Sequence, residues 1–318
     1  MKTPDIPTIK DWTEREYAPA SPLEVEHIRS LTNDVYLVKT PEGKFVLKVY
    51  GAGWRTESAI AWEVDLLEHL FNKGVKVSKA RAGIDGLAVR TIDLGNGPRS
   101  AVLFDYAPGY KPEGPFTDEV YEAEGRAVAQ MHAAGDDFSS LHERTALDLT
   151  YLIDSPVSDT SGLVSASDKD FLDGVGNDLK KHIEIAQQEG LDWGPVHGDM
   201  TFDNFHLTDN GDTWFYDFDS GGMGWRASDI QGWATNKENN PKWQAFLKGY
   251  KEVRALSDND INTAPYIHAA WEVWGLSSDF TKRIAQNGDD ALPKYIKEQL
   301  AQIQSTQQRL KEWEAGQK

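Results

Sequence analysis

Two stretches decide how this chain is read: Val196-His197-Gly198-Asp199-Met200-Thr201-Phe202-Asp203-Asn204 and, shortly after it, Trp214-Phe215-Tyr216-Asp217-Phe218-Asp219-Ser220-Gly221-Gly222. They bring Asp199, Asn204, Asp217 and Asp219 close together in sequence, with apolar residues between them. The two pieces read as loop, strand, turn and strand, an island in a part of the chain that is otherwise helical in pattern.

Around that island the composition is ordinary for a globular protein. Of 318 residues, 39% are hydrophobic and 26% charged, enough for one large core or two modest ones. Lys and Arg number 33 against 51 Asp and Glu, a formal charge of -18. Such a field repels phosphate backbones and anionic lipid, so nucleic acid and membranes are not expected partners. A solvated acidic surface accounts for the charge, and a cationic small substrate would also suit it. The lack of cysteine removes disulfides, thiolate catalysis and cysteine-ligated zinc. The N-terminal MKTPDIPTIKDWTEREY has no apolar core of an export signal, and no apolar run is long enough to span a bilayer. A soluble, cytoplasmic protein is expected.

Working outward, residues from about Glu24 to Tyr50 alternate as strands do, with VYLVKT (Val35 to Thr40), a turn at Pro41-Glu42-Gly43 and KFVLKVY (Lys44 to Tyr50) forming a hairpin. Ile60, Val64, Leu67 and Phe71 have helical spacing over Glu57 to Lys73, and Gly74 ends that helix. Short strands follow at Leu87 to Ile92 and Ser100 to Tyr106, broken by Gly95-Asn96-Gly97-Pro98. The Pro/Gly-rich Ala107 to Pro115 marks a boundary, giving a lobe over 1–107 and another over 108–318. Helices are expected at Thr117 to His132, Asp168 to Gln188, Lys242 to Val253, Pro265 to Gly275 and Pro293 to Trp313.

A strand-rich lobe, a hinge and a helical lobe holding H-x-D-x-x-x-x-N and then Asp-Phe-x is the layout of a kinase. At these residues the chain resembles the aminoglycoside phosphotransferase and choline kinase-like family, over roughly Ile28 to Leu310 and most strongly from Val196 to Trp233. The resemblance implies an α+β, protein-kinase-like two-lobed fold: an N-terminal antiparallel sheet with a helix, then a mainly helical C-terminal lobe. It implies Mg²⁺ and ATP or GTP as cofactors, because phosphoryl transfer needs a carboxylate to accept the hydroxyl proton and oxygen ligands for the nucleotide's metal. Asp199 then corresponds to the base, and Asn204 and Asp217 to the metal ligands, with Met200 and Phe202 anchoring the loop between. His197 reads as structural. Asp219 either reaches a second metal or its waters, or caps the turn into Ser220-Gly221-Gly222.

In the small lobe, Lys48 stands where the strand lysine of this pattern contacts the phosphates, with Glu63 as its ion-pair partner and Glu57 and Glu68 as weaker alternatives. Thr32 and Asn33 belong to the loop expected to cover the phosphates. That loop, Arg29 to Val35, has no glycine, a departure from the kinase pattern. Adenine or guanine would sit against the hinge at Phe104, Asp105, Tyr106 and Ala107.

Only the eleven residues FDSGGMGWRAS separate Asp217 from Asp229, which leaves no platform for a protein substrate and favours a small acceptor. Asp229 resembles the family's aspartate that ties the catalytic loop. Trp225, Trp271 and Trp274 are core residues or walls of an acceptor pocket, and Glu272 and Asp279 are solvated carboxylates or ligands of an ammonium group. Ala146 to Val157 and Tyr266 to Gly275 are most similar to a bacterial homoserine-kinase-like branch that also holds stress-response kinases. The expected activity is Mg²⁺-dependent transfer of a γ-phosphoryl to a hydroxyl of an amino-alcohol, aminoglycoside-like, homoserine-like or sugar compound. Its competitors are a Ser/Thr protein kinase and a non-catalytic nucleotide-binding scaffold.

Overall fold

The computed structural model describes residues 6–18, 22–95, 97–230, 241–277 and 291–316. The chain divides into two compact units. One comprises Met1–Gly114, Asp137–Arg144 and Thr201–Asp219; the other comprises Pro115–Asp136, Thr145–Met200 and Ser220–Lys318.

In the first unit, the alternating pattern produces β1 (Glu24–Ser30), β2 (Asp34–Thr40) and β3 (Gly43–Val49), joined by β4 (Arg90–Asp93) and β5 (Pro98–Asp105) in the antiparallel order β1-β2-β3-β5-β4. Tyr36, Val38, Leu47, Val49 and Leu103 fill one side of this sheet. Ile9 and Trp12 from α1 (Ile6–Tyr17) complete that core. This helix was not anticipated, because charged residues dilute its short apolar face. The expected strand over Leu87 to Ile92 is instead Arg90–Asp93; Leu87 is exposed and lies outside the strand.

α2 (Glu57–Asn72) starts where Thr56 accepts a hydrogen bond from the Ala59 amide (3.1 Å) and stops before Gly74 at φ +89°. Its buried face takes in Ala59, Ile60, Trp62, Glu63, Leu66, Leu67 and Leu70, so Ile60 and Leu67 of the expected stripe are buried while Val64 is half-buried and Phe71 exposed. Glu63 lies within that buried face.

The hairpin of β7 (Phe205–Leu207) and β8 (Thr213–Phe215) belongs to the same unit. Leu207 exchanges backbone hydrogen bonds with Tyr110 at 2.8 and 2.9 Å, and Phe215 bonds to Lys76 and Ser78. Gly109 is required for this approach: it has φ +86°, and a Cβ there would lie 2.1 Å from the Leu207 carbonyl oxygen.

The second unit is mainly helical, with α3 (Asp118–Ala134), α4 (Ser155–Thr160), α5 (Ala166–Gln188), α6 (Pro241–Lys251), α7 (Asp258–Trp274) and α8 (Ala291–Gly316). β6 (Trp193–Val196) pairs antiparallel with β9 (Gly222–Trp225). α3 and α6 meet backbone to backbone, since a Cβ on Gly125 would stand 2.0 Å from the Phe246 carbonyl oxygen and one on Gly249 1.9 Å from that of Glu122. α7 begins at Asp258 rather than at Pro265, because Ser257 Oγ accepts from the Asp260 amide at 3.0 Å and starts the helix earlier. Pro265 therefore lies inside the helix, where it supplies no amide to the ladder.

Candidate active site

A cavity of about 250 Å³ opens in the first unit. Val35 and Val46 from the sheet, Leu67 from α2 and Tyr216 from the end of β8 give it apolar walls. Phe104, Asp105, Tyr106 and Ala107, the expected hinge residues, line another side. Across the hinge, the Ala107 carbonyl oxygen is 2.9 Å from Nδ1 of buried His206. Burial also lowers the His206 pKa, which favours a neutral ring donating to that carbonyl.

Lys48 projects into the cavity from β3. Its ammonium lies 2.8 Å from Asp217 Oδ1, 3.7 Å from Glu63 Oε1 and 3.9 Å from Asp219 Oδ2. Burial alone would lower the Lys48 pKa, but the charges of Asp217, Asp219 and Glu63 outweigh it and hold the group well above its ordinary value. Glu57 and Glu68, the alternative partners, lie on the exposed side of α2.

The β7–β8 hairpin explains how Asn204 and Asp217 come together. Phe205 pairs with Phe215, and one step outward the Tyr216 amide donates to the Asn204 carbonyl oxygen at 3.0 Å. Asp217 follows directly, with φ +65°. A non-glycine residue in the left-handed region costs on the order of 1 kcal/mol and is concentrated at functional sites. Asp219 is buried, which removes the reading of it as an exposed turn cap. Its Oδ2 accepts from Asn33 Nδ2 and Trp54 Nε1, each at 2.8 Å.

Asn33, expected near the phosphates, also accepts from the Gly51 amide through Oδ1 at 3.0 Å. Its side chain therefore ties the glycine-free loop to Asp219, and neither Asn33 nor Thr32 lines the cavity. Gly51 permits this closure, since a Cβ there would sit 2.3 Å from the Thr32 carbonyl oxygen.

Three arginines at this site were not singled out in the sequence. Arg29 donates to Asp217 Oδ2 at 2.8 Å. Arg55 donates to the Asp219 carbonyl oxygen at 2.7 Å. Buried Arg144 donates to Glu63 Oε2 (3.3 Å) and to the Phe218 carbonyl oxygen (3.2 Å), joining α2 to the Asp-Phe-Asp turn. No motif spacing marks these residues; the signal was an excess of buried carboxylates that needed cations.

The second unit carries His197, Gly198 and Asp199. Asp229 Oδ2 accepts the His197 amide and Oδ1 the Gly198 amide, both at 2.9 Å. His132 Nε2 lies 3.1 Å from the same carboxylate, and its Nδ1 is 2.8 Å from the Tyr250 hydroxyl. Burial would raise the Asp229 pKa, but the hydrogen bond from His132 and the backbone donor at Gly198 hold it below the ordinary value. Gly198 has φ +77°, and a Cβ there would meet the Ser220 carbonyl oxygen at 2.5 Å. His197 is buried with Nδ1 3.3 Å from the Asp199 amide, and Asp199 is exposed. The loop is fixed by its backbone while its carboxylate faces solvent.

Among the residues expected around an acceptor, Trp225 is buried edge-on to Trp193 and presents no open face. Trp271 and Trp274 are half-buried and pack edge to face, with Tyr151 from a π-helical turn at Thr150–Asp154 tilted against Trp274. Glu272 lies 3.6 Å from His268 and accepts from Gln302 at 3.3 Å. Asp279 lies outside the described residues.

Among the described residues, no three His, Cys, Asp or Glu side chains converge as a metal site. Asp217 lines the cavity with both carboxylate oxygens held by cations, and Asn204 is buried next to it through the Tyr216 amide; one carboxylate and one amide oxygen are a donor set that suits Mg²⁺ carrying phosphates and water rather than one in a full protein cage. No helix among the described residues is long and apolar enough to cross a membrane.

The chain matches the phosphotransferase enzyme family over residues 24–260. It is 33% identical over 280 residues to an uncharacterized protein of Deinococcus radiodurans, covering 83% of this chain and 79% of that one. It is 27% identical over 249 residues to a homoserine kinase of Brucella anthropi, covering 74% and 72%. Among solved structures, a microcompartment-associated aminopropanol kinase superposes with a TM-score of 0.72 at 21% identity, covering 93% of this chain and 96% of that one. An amicoumacin kinase in complex with AMP-PNP, Ca²⁺ and Ami superposes with a TM-score of 0.69 at 19% identity, covering 94% of each chain. The fold is the α+β, protein-kinase-like one expected from the sequence.

Proposed function

The chain belongs to the phosphotransferase enzyme family and acts on alcohol groups of small molecules, and from that premise we propose that it transfers the γ-phosphoryl of Mg²⁺-ATP or Mg²⁺-GTP to the hydroxyl of a small amino-alcohol. The observation that carries this reading is the buried Lys48 shared between Asp217 and Glu63 on the wall of a cavity. A structural ion pair has no need of a cavity, whereas a nucleotide's phosphates need a fixed cation at its edge.

Each residue then has a task. Lys48 holds phosphate oxygens, and Glu63 orients Lys48 with the help of Arg144. The hinge from Phe104 to Ala107 receives the base through main-chain groups. Asn204 and Asp217 would hold Mg²⁺, which would supply neutralisation of phosphate charge. Asp219 Oδ1 has no hydrogen bond among the described residues and lies 3.7 Å from Arg55 Nε; a second metal or its water would compete with that cation for it. Asp199 accepts the proton of the attacking hydroxyl, and Asp229 holds Asp199's loop in shape through the His197 and Gly198 amides.

The amino-alcohol class follows from two relatives whose named substrates, homoserine and aminopropanol, pair a hydroxyl with an ammonium group. The acidic charge of -18 attracts such cations. Half-buried Trp271 and Trp274, with Glu272 between them in sequence, offer an aromatic face and a carboxylate to an ammonium. The test is a thermal-shift titration with Mg²⁺-ATP and Mg²⁺-GTP on the wild type and Asp217→Asn, followed by ADP release with homoserine, aminopropanol and an aminoglycoside. A nucleotide-dependent shift lost in the variant, with turnover on an amino-alcohol, is expected. No shift with either nucleotide would sink the reading.

A further inference from the structure

β1 carries an irregularity that sets Arg29 opposite Val35, next to Ile28 on the wall of the cavity. His27 pairs with Tyr36, yet the next pair is Arg29 with Val35, so Ile28 is an extra residue. Such a bulge re-aims the side chains beyond it. In an unbroken ladder Ile28 would oppose Val35; the bulge puts Arg29 there instead. Val35 in turn opposes Lys48 on β3. Directly paired residues share a face, so Arg29, Val35 and Lys48 form one row across the sheet, and all three line the cavity.

The two cations of that row end on one carboxylate. Lys48 reaches Asp217 Oδ1 and Arg29 reaches Asp217 Oδ2, both at 2.8 Å. Lys48 is buried, whereas the Arg29 side chain is 48% exposed. Arg29 is therefore free to swing, and its planar fork suits phosphate oxygens as well as a carboxylate. The loop that follows it lacks glycine, so close approach of backbone amides to the phosphates is not the evident means of holding them.

We propose that Arg29 is the phosphate-positioning group of this site, taking over the task that a glycine-rich loop performs elsewhere. With no nucleotide present its guanidinium holds Asp217 and opposes a bare divalent cation there. When the metal-bound triphosphate enters, Arg29 passes from Asp217 to the phosphate oxygens. Metal and nucleotide thus enter together. This inference rests on the kinase reading above.

Opposite signs in two binding measurements test it. On wild type and Arg29→Gln, Mn²⁺ binding without nucleotide is followed by the loss of its electron paramagnetic resonance signal, and Mg²⁺-ATP, Mg²⁺-GTP and adenosine binding by calorimetry. Removal of Arg29 is expected to tighten bare Mn²⁺ about tenfold and weaken the triphosphate the wild type binds about tenfold, leaving adenosine unchanged. Arg29→Lys controls for loss of charge alone and is expected to fall between the two. If Mn²⁺ and triphosphate affinities move in the same direction, or either fails to move, the proposal is overturned. A wild type that binds neither triphosphate overturns the kinase reading and this inference with it; a wild type that binds one, with an Arg29→Gln that behaves identically, overturns this inference alone.

Discussion

Lys48 and Asp217, separated by 169 positions in the chain, are joined by a 2.8 Å hydrogen bond inside the first unit. Glu63 is farther from the same ammonium, at 3.7 Å. The lysine thus offsets the charge of the Asp217 carboxylate directly. Lys48→Met leaves Asp217, Glu63 and Asp219 short of one cation in a buried setting. A loss of about 3 kcal/mol is expected, read as a lower urea midpoint, together with loss of the nucleotide-induced rise in melting temperature.

Asp199 is exposed on a loop whose backbone is fixed by Asp229. Asp199→Asn keeps the loop's backbone bonds to Asp229 and, on the proposed reading, removes the group that accepts the proton. Turnover should fall roughly 10²- to 10⁴-fold while the Kd for Mg²⁺-nucleotide, measured by calorimetry, stays within about twofold of wild type.

Asp229 accepts two backbone amides and a histidine in a buried position. Asp229→Ala leaves those donors unpaired. Destabilisation on the order of 3 kcal/mol is expected, with kcat reduced more than nucleotide affinity, because the amides belong to the loop of Asp199. Chemical denaturation and steady-state kinetics on the same preparation check both parts.

Glu124 on α3 is 1% exposed, has an oxygen without a hydrogen-bond partner among the described residues, and has its pKa pushed up to about 8 by burial. Between the ordinary glutamate value of 4.5 and that raised one, the folded protein keeps a proton that the unfolded chain has released. The neutral carboxyl's contribution is therefore fully present below pH 4.5 and lost as pH rises to about 8, at up to about 1.4 kcal/mol per pH unit. Glu124→Gln should flatten that slope and raise the melting temperature at pH 8. Melting curves of both proteins from pH 5 to pH 8 decide it; parallel curves would show that Glu124 does not titrate as described.

Much of the local structure was legible. The β2–β3 hairpin, α2 and α5 fall within a few residues of their expected positions, because alternation, helical spacing and capping act over short stretches. Where the expectations slipped, longer-range packing had intervened. α1 is held by Ile9 and Trp12 in the sheet's core, and α7 is extended by the cap at Ser257 beyond the proline that suggested its start. Trp225 looked like any other tryptophan in the sequence, and only its burial against Trp193 set it apart from Trp271 and Trp274.

The sequence by itself marked out the residues to which the proposed chemistry is assigned. Asp199, Asn204 and Asp217 stand in fixed order and spacing, and Lys48 and Glu63 stand on adjoining elements of the first lobe. These are facts of neighbouring positions, which a linear pattern can hold. Only the tertiary structure decided which cations meet those carboxylates. Arg29 reaches Asp217 because one bulge shifts the register of β1, and Arg144 reaches Glu63 because its segment folds into the first unit. Electrostatic pairing depends on distance in space, which a register shift or a returning segment changes without altering a single letter near the motif.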